Sequence, residues 1–142
     1  MSTFNERLTE LMQEKEIKSQ QLADIVGVSV ITVNDWKRGR CQIFLSNAIK
    51  LADYFHCSLE FLMGRNDDYT HCIYLTCPPF YLQFMKVLEK KGISTYSIRK
   101  NGSIGGGHLS NWKKGRNPLV ATLIPVVEYL DITLDYLVGR EA

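Results

Sequence analysis

Trp36-Lys37-Arg38-Gly39-Arg40 decides how this sequence is read, because the pattern returns as Trp112-Lys113-Lys114-Gly115-Arg116 at an offset of 76, or 112 minus 36. Each copy reads as a helix end. An aromatic anchors it, two bases lie in the last turn where the helix dipole favours cations, a glycine can take a left-handed cap, and one more base follows. Working outward at the same offset, Phe4 falls on Phe80, Leu8 on Phe84, Leu11 on Val87, Ile17 on Ile93, Leu22 on Ile98, Val28 on Ile104 and Val33 on Leu109. Past the tryptophan the offset drops to 75, a loss of one residue near Gln42. Tyr54, Leu59, Leu62, Gly64 and Arg65 then fall on Tyr129, Leu134, Leu137, Gly139 and Arg140. The chain reads as two copies of one module.

A chain of 142 residues would suit one ordinary domain, but the repeat divides it into modules of about 60 residues, a size that is marginal alone. The boundaries are placed at residues 1–65, an ordered linker at 66–79, and residues 80–142. Hydrophobic content of 45% with 23% charge fits a globular chain rather than a disordered one. No apolar run approaches the roughly 20 residues of a membrane span, and Met1-Ser2-Thr3 does not open a signal peptide, so a cytoplasmic protein with no membrane partner is expected. The net charge of +2 is uneven: eight bases balance eight acids in residues 1–65, the linker carries −2, and nine bases exceed five acids in residues 80–142. An anionic partner would meet the second module first.

Cys41, Cys57, Cys72 and Cys77, with His56 and His71 beside two of them, offer one close pair, Cys72 and Cys77, and no second pair to complete a tetrahedral metal site. The expectation is reduced, mostly packed thiols, with no metal and no cofactor.

In the first module Thr3 can cap a helix that carries Phe4, Leu8, Leu11 and Met12 at helical spacing as far as about Glu16. Ser19 can cap a second helix with Leu22, Ala23, Ile25 and Val26 on its apolar face and Gly27 at its turn. Ser29 can cap a third, whose inward face is Val33 and Trp36 and which ends at Gly39. Two helices of about eight residues joined by a glycine turn make a helix-turn-helix unit. A fourth helix over about 45–55 and a short fifth over 58–63 complete five helices.

These residues carry a resemblance. Gln21-Leu22-Ala23-Asp24-Ile25-Val26-Gly27-Val28-Ser29 and Thr32-Val33-Asn34-Asp35-Trp36-Lys37-Arg38-Gly39, with Leu51-Ala52-Asp53-Tyr54-Phe55 and Ser58-Leu59-Glu60-Phe61-Leu62-Met63-Gly64 behind them, resemble the phage-repressor or Cro-like (XRE) family. The resemblance implies an all-α fold of two five-helix, repressor-like helix-turn-helix modules in tandem. It also implies a third helix that enters the major groove of double-stranded DNA, usually as symmetric pairs on palindromic operators. Carried over by position, it sets Ser29, Val30, Ile31, Asn34 and Asp35 on the groove side and Lys18, Ser19 and Arg40 at phosphates. Chemistry supports part of this assignment. Asn pairs with adenine, Ser with either strand, and Val and Ile pack on thymine methyls, but Asp35 is repelled by phosphates unless it accepts from a cytosine amine. Val30 and Ile31 read alternatively as core, although Val33 and Trp36 already define the inward stripe; as an exposed pair they would also suit a protein partner.

The linker segment His71-Cys72-Ile73-Tyr74-Leu75-Thr76-Cys77 has mixed strand-like character, and Pro78-Pro79 is a stiff start for the next helix. The second module then departs from the first. Thr95 takes the place of Ser19, and Arg99 stands where Ala23 stood, so the helices must cross differently or Arg99 must snorkel outward. Gly105-Gly106-Gly107 occupies the start of the recognition helix, and three glycines at about 1 kcal/mol each argue for a start near Gly107 or His108. His108, Ser110 and Asn111 remain as base readers, while Gly106, Gly107, Lys114 and Arg116 suit phosphates. Pro125 would kink the fourth helix unless it lies in the first turn.

No constellation supports catalysis: there is no phosphate-binding glycine-lysine loop, no His-Glu-x-x-His pair and no nucleophile with a base. The leading expectation is a sequence-specific DNA-binding transcription regulator of the repressor kind, its two modules forming a built-in pair, or a homodimer where their recognition helices do not lie about 34 Å apart. The alternative is a protein-interaction module, an antitoxin or inhibitor, that uses Val30 and Ile31 on a protein.

Overall fold

The computed structural model describes residues 3–68 and 74–141, and every regular element among them is a helix. The chain divides into two compact units, Met1–Ile73 and Tyr74–Ala142. The first holds α1 (Phe4–Glu14), α2 (Ser19–Val26), α3 (Val30–Arg38), α4 (Leu45–Phe55) and α5 (Leu59–Leu62). The second holds α6 (Phe80–Lys91), α7 (Thr95–Asn101), α8 (Gly106–Lys113), α9 (Val120–Leu130) and α10 (Leu134–Val138). None of the described helices is long and apolar enough to cross a membrane.

In the first unit the helical periodicity becomes a single apolar centre. Leu8 from α1, Leu22 and Ala23 from α2, Val33 and Trp36 from α3, Leu51, Ala52 and Phe55 from α4, and Leu59 and Leu62 from α5 are all buried. Each fully buried large side chain contributes about 1.5–3 kcal/mol, offsetting the chain entropy that makes so small a unit marginal. Thr3 caps α1, its hydroxyl accepting from the Glu6 N–H at 3.5 Å, and the helix stops at Glu14, two residues short of the expected end, because Glu16 turns into the left-handed region. Ser19 does not cap α2. Lys18 holds that position and Gln21 Oε1 accepts its N–H at 2.8 Å, leaving Ser19 as the first helical residue.

The ends of the two units repeat one another closely. Ser58 Oγ accepts from the Phe61 N–H at 2.9 Å, and Thr133 Oγ1 from the Tyr136 N–H at 3.0 Å. Arg65 pairs with Glu60 at 2.7 Å and Arg140 with Asp135 at 2.6 Å. In the second unit the guanidinium of Arg140 also lies over the Tyr74 ring, 4.1 Å from its centre, and the Leu75 N–H donates to the Arg140 carbonyl at 2.8 Å. Of the segment His71 to Cys77, read as strand-like, His71, Cys72 and Ile73 lie outside the described residues, while Tyr74, Leu75, Thr76 and Cys77 form no strand; the close pair Cys72 and Cys77 is likewise only half described. Of the other thiols only Cys57 is buried; Cys41 is exposed and Cys77 half-buried, so the expectation of packed cysteines holds for one of the three.

The second unit corrects two local readings. The recognition helix starts at Gly106, with Gly105 as its cap, and not at Gly107 or His108. Gly106 and Gly107 fall in the first turn, where the amide N–H groups lack helical partners anyway, and His108 Nδ1 reaches back to accept from the Gly105 N–H at 3.1 Å. Pro125 sits in the middle of α9 rather than in its first turn, yet the helix runs on to Leu130. The carbonyl left without a donor belongs to Ala121, which is exposed, so water can serve it.

The turn between the paired helices is left-handed at Gly27 (φ 84°) in the first unit but at Ser103 (φ 58°) in the second. A side chain there carries strain of about 1–2 kcal/mol. Ser103→Gly should therefore stabilise the second unit by up to about 1 kcal/mol, the flexibility of glycine in the unfolded chain offsetting the rest. A urea melt whose midpoint fails to rise would contradict this.

Candidate nucleic-acid interface

Ala23, wholly buried, lets α2 pack closely on α3, and α3 buries Val33 and Trp36 beneath it. That inward stripe fixes what faces out. Ser29 Oγ accepts from the Thr32 N–H at 3.2 Å and starts α3; Val30, Asn34 and Asp35 are half-buried, and Ile31 is 68% exposed. Val30 and Ile31 therefore do not belong to the core. The amide of Asn34 makes no hydrogen bond among the described residues, so its donor and acceptor are both available. Gly39, at φ 70°, closes the helix, and the Arg40 N–H returns to the Asp35 carbonyl at 2.9 Å, leaving the Arg40 side chain exposed. Desolvation and then the Asp35 carboxylate push the Cys41 thiol up from its ordinary range, which favours its protonated form.

Lys18 and Ser19 meet at the start of α2, where Lys37 Nζ donates to Ser19 Oγ at 3.3 Å. Lys37 thus joins a polar group that the sequence reading assigned only to its helix end. The only sequence signal for it was its place next to the buried Trp36.

The second unit assembles differently. Ser94 caps α7 by accepting from the Ser97 N–H at 3.1 Å, and Thr95 follows it exposed. Gly106 and Gly107 are exposed at the start of α8. His108 has a structural task, because it accepts from Gly105 and stacks on Trp112 with ring centres 5.9 Å apart. Asn111 Oδ1 accepts from Arg116 Nη1 at 3.2 Å, which ties a proposed base reader to a proposed phosphate contact. Ser110 is exposed and its hydroxyl makes no hydrogen bond among the described residues; Lys114 is exposed as well. Arg99, at the position of Ala23, is exposed, so snorkelling resolves the substitution.

Residues 7–68 match the family model of the Cro/C1-type helix-turn-helix DNA-binding domain. Among solved structures, the crystal structure of a transcriptional regulator from Listeria innocua is similar at 23% identity with a TM-score of 0.44, over 90% of this chain and 94% of that one. No curated protein matches the sequence.

Proposed function

We infer that this chain, whose first unit carries the match to a Cro/C1-type helix-turn-helix DNA-binding domain, is a sequence-specific transcription regulator of the repressor kind. Helix α3 reads the major groove through Ser29, Val30, Ile31 and Asn34, with Asp35 accepting from a cytosine amine. Lys18, Ser19 and Arg40 hold phosphates, while Thr95, Gly106, Gly107, Lys114 and Arg116 of the second unit grip the backbone and Ser110 faces a base. The observation that carries this reading is the outward face of α3: an Asn amide with no partner among the described residues, next to an exposed Ile, at the start of a helix whose other face is core. Such an amide matches adenine N6 and N7, and such a methyl matches thymine.

The test is selection of bound duplexes from random DNA followed by titration at several salt concentrations. Binding should favour one sequence and weaken as salt rises, and Asn34→Ala should cost about 1–3 kcal/mol on the selected site while leaving the salt slope unchanged. Titrations showing no preference and no salt dependence would refute it. The spacing of the selected half-sites reports whether the two units or two copies of the chain supply the pair.

One observation favours a second reading for the first unit. Ile31 and, on α2, Ile25 at 49% exposure are both open, with Asp24 and Asp35 on the same helices, a chemistry that suits an apolar protein contact. A chain that ignores DNA would leave that reading standing.

A further inference from the structure

In the first unit α2 places the wholly buried Ala23 against α3, and α3 begins with Val30. At the same register the second unit has Arg99 and Gly106, since 99 minus 23 and 106 minus 30 both give 76. The small residue and the large one have exchanged helices. A Cβ on Gly106 would lie 3.2 Å from Arg99 Nη2 and 3.4 Å from its Cζ, so the guanidinium already occupies the side-chain space of position 106, along the first turn of α8. Arg99 is exposed and makes no ion pair or hydrogen bond among the described residues.

We propose that Arg99 is a further DNA-contacting cation of the second unit, beside Lys114 and Arg116: reaching over from α7, its guanidinium supplies the donor edge that Gly105, Gly106 and Gly107 leave missing at the start of α8. The inference rests on the DNA-binding reading above. A guanidinium is a planar fork of donors, and on a duplex that fork fits paired acceptors, either O6 and N7 of a guanine or the oxygens of a phosphate. The dipole of α7 favours a cation in its last turn, where Arg99 sits, but its guanidinium end lies beside the positive end of α8, and no acidic group pairs with it among the described residues, so acceptor-rich DNA is a partner that suits it. A side chain at 106 would crowd the guanidinium where it now lies. The second unit, on this account, reads or grips with an arginine from the neighbouring helix where the start of its own recognition helix has only glycines.

The test uses the full chain and a duplex selected by the wild type, with affinities measured at several salt concentrations. The variants are Arg99→Ala, Arg99→Lys, Gly106→Val and the double change Arg99→Ala/Gly106→Val, which installs the pattern of the first unit. Arg99→Ala should weaken binding about tenfold or more. Gly106→Val, which keeps the arginine but crowds its guanidinium, should weaken binding in the same direction. The double variant should melt like the wild type and bind as weakly as Arg99→Ala, which separates lost contact from lost fold. If Arg99→Lys retains affinity, the contact is a phosphate; if it loses affinity together with a guanine at one selected position, the contact is that base. Arg99→Ala binding with unchanged affinity, salt slope and selected sequence overturns the inference while the DNA-binding reading stands. So does a double variant that binds as tightly as the wild type. A wild type that binds no duplex removes the DNA-binding reading, and the inference with it.

Discussion

Arg140→Ala should destabilise the second unit by about 3–5 kcal/mol, the cost of leaving a buried charge without its partner. Nη1 of Arg140 donates to Asp135 Oδ1 at 2.6 Å, and both side chains are almost wholly shielded from water. Removing the arginine takes from the buried Asp135 carboxylate its ion-pair partner at 2.6 Å and also deletes a cation stacked on Tyr74. A loss of that size consumes much of the total stability of a small unit. Thermal or urea unfolding of the full chain should therefore show an early transition absent from the wild type. The matching change in the first unit supplies the control. Arg65 pairs with Glu60 at the same kind of distance, but their side chains are 29% and 10% exposed, against 0% and 2% for Arg140 and Asp135, so Arg65→Ala should cost less. Equal losses at the two sites would show that burial is not what matters. Replacing Asp135 and Arg140 together by apolar residues should recover most of the loss, because no charge is then left buried.

Trp112→Ala should cost the second unit about 3–5 kcal/mol, in the range for truncating a large buried aromatic. Trp112 is 3% exposed and packs edge-on against Phe80 and Phe84, with ring centres at 5.1 and 5.3 Å, while His108 stacks on its other side. The loss reaches the candidate interface, since His108 also accepts from the Gly105 N–H at the start of α8. DNA affinity should fall along with stability, whereas Trp112→Phe should spare much of both. The sequence contains two tryptophans, one per unit. Fluorescence of Trp36→Phe follows the second unit alone and that of Trp112→Phe the first, so unfolding of each is read separately. A Trp112→Ala protein whose unfolding midpoint matched that of the wild type would contradict the placement of this ring.

What was legible in the sequence was what is local. Ser29, Ser58 and Thr133 cap helices within three residues of themselves, Gly39 ends α3 beside its own tryptophan, and the apolar spacing of α4 marks which of its faces is buried. The offset of 76 falling to 75 also predicts where α9 and α10 begin. What escaped depends on which helices meet. Lys37 reaches Ser19 from 18 positions away, and Arg99 fills the space over Gly106, contacts set by a helix crossing that no residue spacing records. Three glycines predict a later start for α8, but a first turn is exempt from helical pairing and His108 accepts from the Gly105 N–H, so the helix starts at Gly106. Serine is a good cap in general, but at α2 the cap is Lys18, whose N–H donates to Gln21 Oε1, and Ser19 is the first helical residue.

The hydrogen bond from the Leu75 N–H to the Arg140 carbonyl sets the entry and exit of the second unit side by side. A unit whose ends are neighbours can be joined head to tail by a short bridge and reopened in an exposed loop, or spliced into a loop of another protein, without prising its core apart. In that respect the second unit is built as a detachable cassette.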